Sequence, residues 1–260
     1  MNIGPNLAKK RKLIEERYNL LDTNMKAIEV INNRLEIRET SLPEVKDDEV
    51  LIKVKAAGLN RADIAQKNGL YPPPPGASEI LGLECSGIVE SVGKNVTSKK
   101  TGDEVIALLA GGGYAEYVAC PEHHAIKKPM KLDWIEGASI PEVYATCWLN
   151  LFMEAGMKEG DKVVFHAGAS GIGTAGVQLA KAFGCDSFVS AGSKEKIDFC
   201  LNLGASAGEI RSNDIFASIK NWSPEGADVI LDPVGAEYFE KNLQVLGLEG
   251  RLVIIGLMGG

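Results

Sequence analysis

The run Lys162-Val163-Val164-Phe165-His166-Ala167-Gly168-Ala169-Ser170-Gly171-Ile172-Gly173 constrains the fold more than any other part of the chain. An apolar, β-branched stretch ends in small residues, and a helical pattern over 174–183 follows at once. The order is strand, tight turn, helix. Glycines let a backbone turn sharply and approach a ligand, and a helix N-terminus offers free N–H donors and a partial positive charge. The combination predicts a pyrophosphate site in a dinucleotide-binding unit. The alternative is an ordinary ligand-free strand–helix turn. Two registers compete. Gly171-Ile172-Gly173-Thr174-Ala175-Gly176 matches G-x-G-x-x-G literally. The strand end instead favours a turn from Gly168 to Gly173 with Ser170 at the middle position, and we prefer that register.

Helix and strand patterns alternate around this segment. Helices are expected over 142–154, 173–183, 194–203, 213–221 and 236–245, and strands over 162–167, 186–191, 207–210, 227–232 and 250–256. Such alternation implies an α/β fold with a parallel sheet covered on both faces. A doubly wound nucleotide-binding sheet normally has six strands. Five are legible, so the last is expected to be missing. From Met25 to about Pro141 the pattern is β-rich, with strands expected over 26–30, 49–57, 85–92, 104–109 and 115–120. Tyr71-Pro72-Pro73-Pro74-Pro75-Gly76 reads as a stiff extended loop. Residues 1–24 read as a flexible extension with a basic Lys9-Lys10-Arg11-Lys12 run and a short amphipathic helical pattern. The expected division is 1–24 extension, 25–141 β-rich domain and 142–260 dinucleotide-binding domain.

Composition narrows the class. The 260 residues are 45% hydrophobic, enough for a sizeable core. A net charge of −7 argues against a general nucleic-acid binder, which needs a phosphate-neutralising excess. The five cysteines stand far apart without a C-x-x-C pair, which argues against a zinc ribbon or a disulfide framework. No run of about 18 apolar residues predicts a membrane span, and the N-terminus lacks a signal-peptide core. A reduced, cytoplasmic compartment is expected.

Cofactor choice is read at the end of the second strand of such a sheet, where an acid holds the ribose hydroxyl of NAD and basic or small polar residues admit the 2′-phosphate of NADP. Here the strand runs into Ser190-Ala191-Gly192-Ser193-Lys194-Glu195-Lys196, with no carboxylate at its tip. Gly192 and Ser193 leave room and offer donors, and Lys194 or Lys196 supplies charge. NADPH is therefore expected over NADH. The bland reading of Lys194 to Lys196 is a solvated helix start. Arg211, past the third strand, is a second candidate for the phosphate or the adenine face.

With these residues in place the chain resembles the zinc-independent quinone oxidoreductases of the medium-chain dehydrogenase/reductase superfamily, and most nearly their p53-inducible subgroup. The motifs that carry the resemblance run from Met25 to Gly260. They include Ala57-Gly58-Leu59-Asn60-Arg61-Ala62-Asp63, Gln66 through Gly76, Leu81-Gly82-Leu83-Glu84-Cys85-Ser86-Gly87, Gly113-Tyr114-Ala115-Glu116-Tyr117, the His166–Gly173 turn and Gly256-Leu257-Met258-Gly259-Gly260.

The resemblance implies that 25–141 is a GroES-like β-rich substrate domain and 142–260 a Rossmann NADP-binding domain, with reaction in the cleft between them. It implies Asn60, Tyr71 and Thr146 near nicotinamide and substrate. For the cofactor it implies Gly168, Ser170, Gly171, Ile172, Gly173, Gly192, Ser193, Lys196 and Arg211, together with Leu257 and Met258. The bland alternatives are that Thr146 is a buried helix residue, that Tyr71 packs on its prolines, and that Glu84 is a structural acceptor. No metal is expected: zinc-dependent relatives carry G-H-E where this chain has Gly82-Leu83-Glu84, and a cysteine near Asn60. His123 and His124 read as surface residues. The expected reaction is metal-independent reduction of a quinone by NADPH; the alternatives are an enone or enal reductase, or a truncated form that only binds nucleotide. The family forms homodimers, an expectation weakened here because the chain is expected to stop short of the final strand.

Overall fold

Asn32 and Asn33 adopt positive φ, 49° and 61°. Such a pair suits a two-residue hairpin turn, and asparagine tolerates that conformation better than most residues. The turn joins β1 (Asn24–Ile31) to β2 (Arg34–Ser41), with Ile31 opposite Arg34 and Ile28 opposite Ile37. The computed structural model describes residues 24–259. The basic run and amphipathic helix expected near the N-terminus lie outside these residues. β2 was not expected from the sequence, because Leu35 and Ile37 are exposed and leave no buried alternating face.

The described residues divide into two compact units, the first ending at Pro141 and the second beginning at Glu142. In the first unit, β3 (Glu49–Ala57), β4 (Glu84–Val92), β5 (Glu104–Leu108), β6 (Tyr117–Pro121) and β7 (Ala125–Lys127) form an antiparallel sheet in the order β6-β3-β4-β5-β7. The strand expected over 115–120 starts later, because Ala115 bridges to Ala27 of the hairpin instead. Val50, Ile52, Cys85, Val89 and Val105 make the core. Two short helices, α1 (Arg61–Lys67) and α2 (Trp134–Ala138), complete the unit.

At the boundary of the units, α3 (Pro141–Cys147) begins at Pro141 and passes into a π-helical stretch, Trp148–Glu154, where a single helix was expected. Five parallel strands follow: β8 (Lys162–Phe165), β9 (Asp186–Ala191), β10 (Ala207–Ile210), β11 (Ala227–Asp232) and β12 (Leu246–Ile254), in the order β10-β9-β8-β11-β12. Between them run α4 (Gly171–Ala182), α5 (Lys194–Leu203), α6 (Ile215–Trp222) and α7 (Ala236–Val245). Successive strand residues point to opposite faces. Val163, Phe165, Val189 and Leu231 pack into one cluster, while Val164, Phe188 and Ile230 pack into another. That parity is why these runs are apolar throughout rather than alternating. The first unit is GroES-like and the second carries a Rossmann-type sheet. No described helix is long and apolar enough to cross a membrane.

Candidate cofactor site

The turn after β8 spans His166 to Ser170, and α4 begins at Gly171. Gly168 N donates to Ser190 O at 2.8 Å, pinning the turn to the neighbouring strand. A Cβ on Gly168 would lie 2.5 Å from Val189 Cβ, and one on Gly173 would lie 2.4 Å from Gly168 O. Both positions therefore demand glycine by close approach. This is the Gly168–Gly173 register; Gly176 sits a full turn into α4, against the Phe165 ring. Ser170 caps α4 by accepting from Gly173 N at 3.1 Å. The remaining first-turn N–H groups of a helix have no intrahelical acceptor, so the end of α4 retains donors and positive potential for an anion. The sequence missed one feature: the left-handed residue of the turn is Ala167, with φ 54°, and not a glycine.

A cavity of about 600 Å³ opens beside this turn. Ser170, Gly192, Lys196, Arg211 and Met258 line it, bringing five of the expected cofactor residues to one place. A Cβ on Gly192 would meet nothing nearer than the Arg211 guanidinium, at 3.9 Å. Ser193 instead sits at the N-cap before α5, and its hydroxyl bonds the Glu195 carboxylate, holding that acid below its ordinary range. Lys194 is ion-paired with Asp198. Lys196 and Arg211 have no carboxylate partner among the described residues. Glu237 also lines the cavity, from the first turn of α7 rather than from the strand tip. Leu257 is 73% exposed and is not part of the lining. A cradle of close-packed glycines, an open helix start and two unpaired cations around one cavity fit a phosphate-bearing dinucleotide.

Beneath the cavity lies a buried polar chain that the sequence did not reveal. Ser190 Oγ lies 3.0 Å from His166 Nδ1, and His166 Nε2 lies 2.8 Å from Asn242 Oδ1. Asn242 Nδ2 donates to Asp232 Oδ2 at 3.0 Å, and Asp232 also accepts from Val234 N and Gly235 N. The donors assign the tautomer: the amide of Asn242 faces Asp232, so its oxygen accepts from Nε2–H and Nδ1 accepts from the serine. Burial pushes the His166 pKa below its usual value, against the opposing pull of Asn242 and Asp232. The imidazole is neutral and fixed.

In the first unit, Asn60 Nδ2 donates to the buried Glu84 at 2.8 Å. Asn60 N donates to Asp63 Oδ2 at 2.7 Å, which also accepts from the Tyr114 hydroxyl at 2.7 Å. A Cβ on Gly58 would overlap Glu84, so the glycine makes room for that carboxylate. Tyr71 is 52% exposed with no hydrogen bond among the described residues. Thr146, in the second unit, is half-buried on α3 and accepts from Asn150 Nδ2 through its carbonyl. Leu83 is buried, His123 and His124 are exposed, and no group of three or more metal-ligating side chains is gathered among the described residues. All five cysteines are buried, and burial pushes the Cys147 thiol up to about 12.

Two family models match. Residues 46–130 match the alcohol dehydrogenase GroES-like domain, and residues 171–260 match the domain described as zinc-binding dehydrogenase. The quinone oxidoreductase of Homo sapiens is 33% identical over 234 residues, covering 89% of this chain and 70% of that protein. The synaptic vesicle membrane protein VAT-1 homolog of Danio rerio is 32% identical over 215 residues, 82% of this chain, which spans less than half (44%) of that relative. A mycobacterial protein solved in complex with NADPH superposes with a TM-score of 0.81 at 29% identity, over 91% of this chain and 75% of that one.

Proposed function

The chain belongs to the quinone oxidoreductase family of the medium-chain dehydrogenase/reductase superfamily, and from that premise we propose that it reduces a quinone with NADPH. The observation that carries the cofactor choice is the pair of unpaired cations, Lys196 and Arg211, in a cavity that Gly192 leaves open at the end of β9. The NADPH complex of a similar structure supports the same reading.

NADPH supplies a hydride when bound. Two-electron reduction of a quinone also consumes one proton and yields an aromatic hydroquinone, so the acceptor is reactive without strong activation. The protein's task is positioning and exclusion of competing reactions. The start of α4 holds the pyrophosphate, and Lys196 with Arg211 holds the 2′-phosphate. Thr146 hydrogen-bonds the nicotinamide side of the cofactor. Asn60, oriented by its bond to Glu84, offers a polar contact to nicotinamide or substrate, and Tyr71 stacks on the quinone ring or donates to its oxygen. Leu83 is a hydrocarbon where a metal site needs a donor, so the reaction is metal-independent in this reading.

The test is NADPH oxidation by the purified chain with a 1,2-quinone and with an α,β-unsaturated ketone, each with and without a strong chelator. Faster turnover on the quinone, insensitive to chelation, is expected. Turnover on the enone alone, or activity that a chelator removes and zinc restores, would refute the proposal.

A further inference from the structure

The second unit holds another cavity, about 630 Å³, between α6 and α7. Its walls are apolar where Ile215, Phe216 and Val245 line it, and cationic where Arg211, Lys220 and Lys241 do. In this unit Lys158, Lys162, Lys194 and Arg251 are tied to carboxylates. The cations without an ion pair among the described residues are Lys181, Lys196, Arg211, Lys220 and Lys241. All of these except Lys181 line one or other of the two cavities. Lys241 Nζ rests 5.4 Å above the Phe216 ring, and Tyr238 meets that ring edge-on at 5.3 Å. The Tyr238 hydroxyl makes no hydrogen bond among the described residues. Two acids are also in the lining, Asp214 and Glu237. Asp214 is occupied in capping α6 through Ala217 N. On a chain of net charge −7, the three cations outnumber the two acids of this lining and make a local reversal of sign.

We propose that this cavity is a second ligand site, built for an organic phosphate: a compact apolar body against Ile215, Phe216 and Val245, with its phosphate held by Lys220, Lys241 and Arg211. The volume is in the range of small-molecule sites, and arginine and lysine are the usual phosphate partners. Arg211 and Tyr238 line both cavities. A phosphate in the second cavity draws on the same guanidinium as the cofactor's 2′-phosphate, so the two ligands oppose one another. By linkage, each weakens the other by the same factor. The site stands on its own cavity; the antagonism rests on the cofactor reading given above.

Calorimetric titration with phenyl phosphate, and separately with NADPH, tests both parts. Lys220→Ala and Lys241→Ala each lower phenyl phosphate affinity by about tenfold, the loss of one charged contact at roughly 1.4 kcal/mol per decade, and leave NADPH within about twofold. Lys196→Ala does the reverse, and Arg211→Ala weakens both. Saturating NADPH lowers phenyl phosphate affinity. No binding of phenyl phosphate at millimolar concentration would overturn the proposal. So would Lys220→Ala and Lys241→Ala weakening NADPH as much as the probe, which would make the cavity part of the cofactor's bed. Probe binding that follows Lys220 and Lys241, in a chain that fails to bind NADPH, would uphold the site and remove the cofactor reading instead.

Discussion

His166 Nε2 and Asn242 Oδ1 meet at 2.8 Å, and this one contact ties the turn after β8 to α7 across 76 positions of sequence. Both residues are buried, and Asn242 in turn binds Asp232 at the end of β11. Three strand ends and a helix are thereby locked under the candidate cofactor cavity. Asn242→Leu would strand a donor on His166 and remove one donor from Asp232. A buried polar group left unsatisfied costs about 1–3 kcal/mol. Urea denaturation should show a loss of that size, together with weaker NADPH binding. An unchanged midpoint would show the network to be dispensable.

The same histidine gives the stability curve a pH dependence. Burial lowers its folded pKa below the ordinary 6.5, so the unfolded chain takes up the proton first as pH falls. More protons bound in the unfolded state means that stability rises with pH. The contribution of neutral His166 is complete above 6.5 and is lost as pH falls from there through the folded pKa. His166→Gln should flatten this part of the curve. Losses at lower pH, where Asp186 and Glu209 are held below their ordinary range by hydrogen bonds to Lys162 and Asn213, should remain. Identical slopes for both proteins between pH 5 and 6.5 (about the span of a perturbed histidine) would contradict this.

Gly173 is the tightest point of the turn. Its Cβ would sit 2.4 Å from Gly168 O, a backbone atom that cannot swing aside. Gly173→Ala must open the turn, at roughly 1–3 kcal/mol by analogy with overpacked cores. Thermal denaturation should register that loss, and NADPH affinity should fall by about tenfold or more, because the N–H groups of the turn move with it. Gly69→Ala, in open space at φ 71°, is the control. It should cost stability only, through its left-handed backbone, and leave NADPH binding intact.

Asn60 donates to Glu84, which fixes its amide in the orientation the proposed reaction would use. Asn60→Asp sets a second carboxylate against a buried one. It should destabilise the first unit by about 1–3 kcal/mol, the cost of an unsatisfied buried group. Asn60→Ala takes one donor from the buried Glu84 and should cost some stability too; in the folded protein it should lower kcat with quinone by about tenfold or more. Exposed Tyr71 is different: Tyr71→Ala should raise the quinone KM with little change in kcat. Steady-state kinetics separate the two, and equal effects on kcat would put both residues in one role.

The alternation of helix and strand in the second half was legible because a parallel sheet buries both faces. Val163 through Phe165 and Val229 through Leu231 had to be apolar at every position. The turn was legible because close backbone approach admits only glycine at Gly168 and Gly173. β2 was not, since a hairpin with Leu35 and Ile37 exposed has no hydrophobic period; its only signal was the Asn32-Asn33 pair. Ala167 takes a left-handed conformation that its residue type does not announce. The partnership of His166 with Asn242 has no local pattern at all. Lys196 and Arg211 were found separately in the sequence, but only the fold shows that they line one cavity and that Ser193 does not.

In the proposed function this cavity selects the 2′-phosphate of NADPH. Direct titration of NADPH and NADH, on the unaltered chain and on Lys196→Ala, tests it most plainly. A charge-assisted contact contributes on the order of 1.5–3 kcal/mol, so NADPH should bind at least about tenfold more tightly than NADH. Lys196→Ala should erase most of that difference while leaving NADH unchanged. Equal affinities in the unaltered chain, or a variant that loses both cofactors alike, would contradict the account.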